Sequence, residues 1–500
     1  SDGWAAHESG EKRHRALISR ERSGLAYLGP RPARVAATSS SRGQFAIGSL
    51  GGTGLGLILV RATEEGRLTR FDLGTLGKSS QMVSQQGVFA PFVLEDGVIA
   101  CVAGGGIQLI GEGSKRIVEI PGGNGEALEL SLRSPDSYFD RESGTLHFFR
   151  NAFAYTVGEK FWRLELPKAE KFEAIVPDRR NLQAGGADAE IIDWVEGTGT
   201  FVVRYPGLGG FQRFQKSTGQ PFGSRWDGGS AHQVYNGVFS SDPSNGWRAL
   251  SYSDDASTGG ISACVTIEKA ADGSDHVKIA NGLPSKADPL GLIDAGAKVR
   301  VVFGAGDTVQ FVEVDPSTGA TKAIWIWNFA SRFGKALLDQ SSGIILIPNA
   351  AGFEAWMLPG EGEPRKKFDM VLADDDSFAV LLPNGLYAGS PGCESFLKLT
   401  DKSGTLVPAA ILAPWRNRPA AVLAAMGGGR SAIDATAHAT ERWLKRLGVE
   451  GDEPNSAATE FATAVAAPRP LLMQSTNELT FPVEVVAGAE PVKSVSVLVN

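Results

Sequence analysis

At 500 residues the chain exceeds one ordinary hydrophobic core, and its net charge of −7, with Lys and Arg spread along its length, argues against a nucleic-acid groove. Cys101, Cys264 and Cys393 are too few and too scattered for a disulfide framework or a metal knuckle, and each reads as a small buried hydrophobe. Apolar runs such as 55–60 fall far short of the ~20 residues of a bilayer span and no signal-peptide pattern opens the chain, so no membrane span and a cytoplasmic location are expected.

In chain order, residues 1–24 form a polar N-terminal arm whose basic segment 12–22 reads as a solvated helix or arm ending at Gly24. From Leu25 the text changes to apolar runs of four to seven residues, among them 54–60, 97–102, 145–149, 200–204, 299–303 and 343–347. They are rich in β-branched and aromatic residues and show no sustained helical period, so they predict strands. The turns between them repeat a pattern. Asp140 with Gly144, Asp315 with Gly319 and Asp339 with Gly343 share Asp-x-x-(Ser/Thr)-Gly, and 215–219 and 401–404 are degenerate copies. Asp accepts N–H bonds from the residues after it, and Gly supplies the positive φ from which the chain turns back.

Hairpins repeated without helices predict an all-β chain, built either as stacked sandwiches or as a propeller of four-stranded blades. Some 350 residues of such text suit a β-propeller of about seven blades, at about 40 to 50 residues per blade. No Gly-His followed by Trp-Asp marks the blades. Trp162, Trp194, Trp226, Trp247, Trp325, Trp327 and Trp356 are spaced along this region, where packing between neighbouring blades is their expected role.

Near Gly385 the text changes again. Residues 378–387 read as a strand, a Pro-Asn-Gly turn and a second strand; 420–426 reads as a short helix stopped by Gly427, Gly428 and Gly429; 430–447 reads as a longer helix with Ile433, Ala437, Trp443, Leu444 and Leu447 on one face. The last stretch alternates Val495, Val497 and Val499, the pattern of a strand with one buried face.

Tyr387, Ser390, Pro391 and Gly392, followed by Arg418, Pro419 and Val422, resemble the end of the propeller in a family of bacterial multidomain proteins in which a WD40-like propeller precedes a caspase-like peptidase. The tail from Arg469 to the terminal Val-Asn resembles the immunoglobulin-like linker of that family. Ala420 stands where the family carries an acidic residue, and no Cys/His dyad of the peptidase falls within these residues. The resemblance implies four parts: an arm at 1–24, a WD40- or quinoprotein-like propeller at 25–400, a two-helix junction at 401–465, and the start of an Ig-like module at 466–500. It also implies a protein partner or an effector domain in the same chain.

The candidate reactive constellations fail individually. Ser390 lacks the Gly-x-Ser-x-Gly frame and the strand-to-helix context of a nucleophile elbow. The glycine-rich stretch 51–56 leads into a strand, where a phosphate loop needs a helix N-terminus. Gly427 to Gly429 precede a helix but no P-loop Lys follows, so they read as a flexible joint. Asp374, Asp375 and Asp376 lack the ligand alternation of a Ca²⁺ loop, and His147 sits between apolar strand residues as a core histidine. Asp188, Glu190 and Asp193 cluster near Trp194 without the spatial evidence acid–base chemistry needs. No catalytic residue, metal site or cofactor is therefore assigned within the chain, and its ligand-binding residues are not legible.

Two functions follow. The first is a non-catalytic propeller scaffold or sensor for protein or ligand binding within a larger peptidase protein. The alternative is a quinoprotein-like propeller oxidoreductase, because Asp315 to Trp325 and Ser217 to Trp226 resemble the Asp-x-x-Thr-Gly…Trp docking repeat of that class, with Trp a few residues later and no vicinal cysteine pair.

Overall fold

The computed structural model describes residues 4–9, 12–17, 25–27, 44–49, 56–85, 87–94, 97–103, 106–111, 114–119, 140–141, 144–149, 152–157, 160–165, 171, 173–175, 190–195, 200–204, 211–215, 217–226, 232–239, 247–256, 260–269, 277–279, 288–295, 298–329, 334–340, 342–349, 351–373, 375–400 and 406–449. The chain divides into two compact units. The larger comprises Val35–Met370 with Leu423–Ala432; the smaller comprises Ser1–Arg34, Val371–Val422 and Ile433–Asn500.

The larger unit is a succession of antiparallel meanders in which each strand pairs with its neighbour in sequence. The first sheet runs Gln44–Ser49, Leu57–Ala62, Arg67–Asp72, Gly77–Met82, and the second Phe89–Val93, Ile99–Ala103, Gly106–Gly111, Ser114–Glu119. The third runs Asp140–Arg141, Gly144–Phe149, Ala152–Val157, Lys160–Glu165, Glu173–Ile175, and the fourth Glu190–Val195, Thr200–Arg204, Phe211–Gln215, Pro221–Trp226. The fifth is His232–Phe239, Trp247–Ala256, Gly260–Lys269, Val277–Ile279, and the sixth Asp288–Ala295, Lys298–Ala305, Thr308–Val314, Thr321–Asn328. Leu337–Asp339, Ile344–Pro348, Gly352–Met357 and Arg365–Leu372 belong to the seventh. The all-β reading is met, and no helical crossover separates these sheets among the described residues.

The sheets are stacked face to face, so their middle strands are apolar on both sides. Ile58, Val60 and Ala62 of the first sheet join Ile99, Cys101 and Ala103 of the second in one core. In the sixth sheet Val299, Val301 and Phe303 pack with Ala249, Ile267 and Ile279 of the fifth, whereas Val302, one residue out of phase, packs with Ile345 and Ile347 of the seventh. A period of two thus feeds two interfaces from one strand. Burial of each such side chain contributes about 1.5–3 kcal/mol. The first strands of successive sheets approach closely: a Cβ on Gly48 would lie 2.7 Å from Val93 Cβ, and one on Gly291 would meet Leu338 Cδ2. The Gln44–Ser49 strand packs against Phe89–Val93 and also against Leu337–Asp339, and Phe45 meets the Phe353 ring edge-on at 5.3 Å between centroids.

The hairpin tips follow the turn chemistry read from the sequence. Asp315 Oδ1 accepts from Ser317 N at 2.8 Å, Gly319 N donates to Asp315 O at 2.8 Å, and Gly319 has φ 70. At the degenerate copy Gly219 N donates to Gln215 O at 2.8 Å with φ 68, and in the third copy Ser342 Oγ donates to Asp339 Oδ2 at 2.6 Å beside Gly343 at φ 67. Asp140 pairs with Thr145 and Arg141 with Gly144, closing the fourth tip, and residues 401–404 lie outside the described residues.

In the smaller unit the terminal arm, for which a helix was one of two readings, holds two strands. Trp4–Ser9 and Lys12–Leu17 pair as antiparallel strands whose register sets Glu8 opposite Arg13, so strand pairing overrides the charge pattern. Leu25–Tyr27 pairs with Leu397–Thr400, which pairs with Leu406–Pro408. Phe378–Leu381 and Tyr387–Gly389 form the expected hairpin around Gly385, at φ 84. A 3-10 turn at Cys393–Ser395 precedes the strand Leu397–Thr400.

Helices occur at Pro419–Ala425 and Arg430–Leu447, within a residue of expectation, with Pro419 at the first helical position. A further helix, Ala409–Arg416, was not read because Pro408 and Pro414 punctuate it. The flexible joint is also corrected. Gly428 N donates to Leu423 O at 2.7 Å, Gly427 has φ 74, and within the larger unit a Cβ on Gly428 would lie 2.7 Å from Gly74 O, so these glycines end a helix and Gly428 is held against the turn of the first sheet. The tail beyond 449, with its Ig-like pattern, lies outside the described residues.

Candidate functional site

Aromatic and charged side chains of the larger unit meet between its sixth and seventh sheets. Alternation along Thr321–Asn328 sends Trp325 and Trp327 toward Gly352–Met357, where Trp356 stands. Ring centroids are 5.6 Å apart for Trp325 with Trp356, 5.8 Å for Trp327 with Trp356 and 6.4 Å for Trp325 with Trp327. Trp327 and Trp356 are buried. Lys366 Nζ lies 6.0 Å from the Trp356 ring centre, 2.9 Å from Asp369 Oδ1 and 3.5 Å from Glu354 Oε1, and Trp356 Nε1 donates to Glu354 Oε2 at 3.2 Å. The one ammonium is shared by two carboxylates and a ring face, and the three indoles fill the space between them. This arrangement is a closed seam that locks two sheets, with its charges spent internally.

A second charged group crosses the same interface. Arg300, buried, donates to Pro359 O and Gly362 O at 2.9 Å each and to Glu313 Oε2 at 3.0 Å, and it lies over the Phe311 ring. Lys298 donates to the other oxygen of Glu313 at 2.6 Å. These bonds, from Lys298 first and Arg300 next, hold the Glu313 carboxyl below its ordinary range. Neither charged group was legible in the sequence, because single ionic residues in unrelated strands meet only through register.

In the smaller unit the residues that carry the family resemblance share one corner. Tyr387 is fully buried, its hydroxyl donates to Ala409 O at 3.2 Å, and its carbonyl accepts from Arg418 N at 2.9 Å. Arg418 donates onward to Pro414 O at 2.8 Å, and Asn417 Nδ2 donates to Glu394 Oε1 at 2.7 Å. Burial pushes the Tyr387 phenol well above its usual range, so it stays a neutral hydrogen-bond donor. Gly389 leaves no room for a side chain: a Cβ there would sit 2.2 Å from Phe378 O.

Ser390 belongs to this corner and is a structural serine. Its Oγ accepts from Phe378 N at 2.9 Å and donates to Phe378 O at 3.2 Å, and the residue is buried. Cys393 is buried beside it, and burial with the neighbouring Glu394 charge pushes its thiol up to about 12; burial does the same to Cys101 in the first core. Neither thiol can supply a thiolate near neutral pH. Cys264 lies in a strand whose side chain at that position is outside the described residues, as are those of His147, Glu190, Asp193, Trp162, Trp194 and Trp226; Asp188 and residues 51–55 are outside altogether.

Gly56, at φ 86, opens a strand directly. In the acidic turn Asp375 accepts from Ser377 N at 2.9 Å and Ser377 Oγ at 3.0 Å, while Asp376 adopts φ 62, so Asp375 serves the turn. Among the described residues no three His, Cys, Asp or Glu side chains converge as metal ligands, and no helix is long and apolar enough to cross a membrane. The Asp315 turn shared with the quinoprotein pattern leads to Trp325, which packs in the indole seam.

No family model matches the chain, and no curated protein matches it. Among solved structures, it is similar to a chain of the mitotic checkpoint complex (11% identity, 72% of this chain and 97% of that one covered, TM-score 0.41). It is also similar to apo AztD from Citrobacter koseri (13%, 71% and 94%, TM-score 0.38) and to TolB from Acinetobacter baumannii (14%, 64% and 77%, TM-score 0.31). At these scores the likenesses carry no functional information, and the fold stands on the sheet order and packing above.

Proposed function

We propose that this chain is a non-catalytic β-propeller scaffold or sensor region of a larger bacterial protein with a caspase-like peptidase domain. Its seven sheets act as blades, and its helical junction leads toward an Ig-like module and an effector in the same chain. The single observation that carries the reading is that the first sheet has two neighbours. Gln44–Ser49 packs against the second sheet and against the last, with Phe45 on Phe353, whereas an open row of sheets would leave its first member with one. The corner around Tyr387 and Arg418 supports the junction part, since the residues of the resemblance are bonded into one rigid exit. Of the candidate reactive groups, Asp375, Ser390, Cys101 and Cys393 are tied into turns or packing, which favours binding over catalysis.

Reading the gene beyond Asn500 tests the proposal. An uninterrupted frame encoding a caspase-like domain is the expected result, and a stop codon directly after Asn500 would overturn it.

A further inference from the structure

Among the described residues each sheet of stacked meanders ends in a strand with one unpaired backbone edge, and such edges are normally blunted. The third and fifth sheets close on three-residue strands, Glu173–Ile175 and Val277–Ile279. The fourth and sixth close on longer strands whose register is broken by a bulge, between Phe211 and Arg213 in one and between Phe311 and Val312 in the other. Gly77–Met82 of the first sheet has neither device. Its six residues pair with Arg67–Asp72 without a break, every side chain from Lys78 to Met82 is exposed, and Met82, at 59%, is the most exposed large apolar residue described. The Ser114–Glu119 strand of the second sheet is equally regular, but it buries Val118 and commits Lys115 to the Val83 carbonyl.

The direction of the free groups follows from the ladder. Val83 N donates to Gly66 O at 2.8 Å, which marks that pair as hydrogen-bonded, and hydrogen-bonded pairs alternate along an antiparallel ladder. Ser79 and Gln81 therefore point their N–H and C=O groups inward, and Lys78, Ser80 and Met82 point theirs outward. The same three side chains share one face, opposite Phe71, Thr69 and Arg67, with Ser80 Oγ 3.1 Å from Thr69 Oγ1. The edge thus offers a cation, a small polar group and an apolar tip in a row, beside three residues' worth of outward backbone donors and acceptors.

We propose that Gly77–Met82 is a docking edge for an extended acidic peptide, which adds to the first sheet as an antiparallel strand. Cross-strand pairing sets the peptide's chemistry: a carboxylate opposite Lys78, and a large apolar side chain four residues earlier opposite Met82. The inference gives the scaffold reading a partner class but rests on the edge itself. Peptide binding can fail while the gene still encodes a peptidase, and the reverse.

The test uses the full chain and a synthetic probe, acetyl-Thr-Ile-Thr-Thr-Thr-Glu-Thr-amide, followed by titration calorimetry and by hydrogen exchange of the 77–82 amides. Saturable binding with slowed exchange at Lys78, Ser80 and Met82 is expected. Lys78→Glu should weaken the Glu peptide at least tenfold and favour the same peptide carrying Lys in place of Glu. Ser80→Pro removes an outward N–H at a position where an edge strand tolerates proline, so it should abolish binding with the circular dichroism spectrum unchanged. Failure of the Glu peptide to bind at millimolar concentration, or equal binding by a copy N-methylated at its Ile, central Thr and Glu, would overturn the proposal.

Discussion

Arg300 shows what a buried charge does here: its guanidinium ties the sixth sheet to the carbonyls of Pro359 and Gly362 and depends on Glu313 for balance. Glu313→Gln is expected to cost about 2 kcal/mol at neutral pH, read by urea unfolding, because a bond to a charged group is lost beside a buried cation. The wild-type carboxyl is held below its ordinary value of 4.5, so its contribution is whole above that pH and falls away as pH drops through the lower folded value. The gap between wild type and variant should therefore narrow in acid; a gap constant from pH 7 to pH 3 would contradict the assignment. Trp327 offers the opposite case. Its buried Nε1 lacks a hydrogen-bond partner, so Trp327→Phe should lose packing area but shed an unsatisfied donor, leaving stability within about 1 kcal/mol of wild type. The packing role of Trp325, Trp327 and Trp356 was legible from their strand spacing, whereas Lys366, Asp369 and Arg300 were not, since nothing local marks which strands they will face.

At the scale of elements, the described hairpin tips match their reading because their chemistry is local. An Asp that accepts from the next residues and a Gly that takes positive φ sit within five residues of sequence, as at Asp315 and Gly319. Gly319→Ala should cost about 1–2 kcal/mol by forcing a Cβ into the left-handed region, and Gly319→Asn distinctly less, read from thermal unfolding. The helix cap was misread because its partner is distant in sequence. Gly428 has no room for a Cβ against Gly74 O, while Gly429 has nothing within 4 Å. Gly428→Ala should therefore destabilise by about 1–3 kcal/mol, with Gly429→Ala close to neutral; equal effects would show that the segment is a joint after all. The pairing of Trp4–Ser9 with Lys12–Leu17 was hidden by the segment's charge, which describes solvation and says little about strand pairing.

At the scale of the molecule, the number and order of meanders could be approximated from turn spacing, but no sequence feature states which sheet the first one meets at its free face. That is settled by contacts between residues some 300 apart, Phe45 with Phe353 above all. A ring closed in the proposed way makes the first and last sheets mutually dependent. The most direct measurement is a double-mutant cycle on Phe45→Leu and Phe353→Leu by equilibrium unfolding. An aromatic pair in edge-on contact should show a coupling of about 0.5–1.5 kcal/mol. Additivity of the two substitutions, with no coupling energy, would contradict closure of the sheets into a ring.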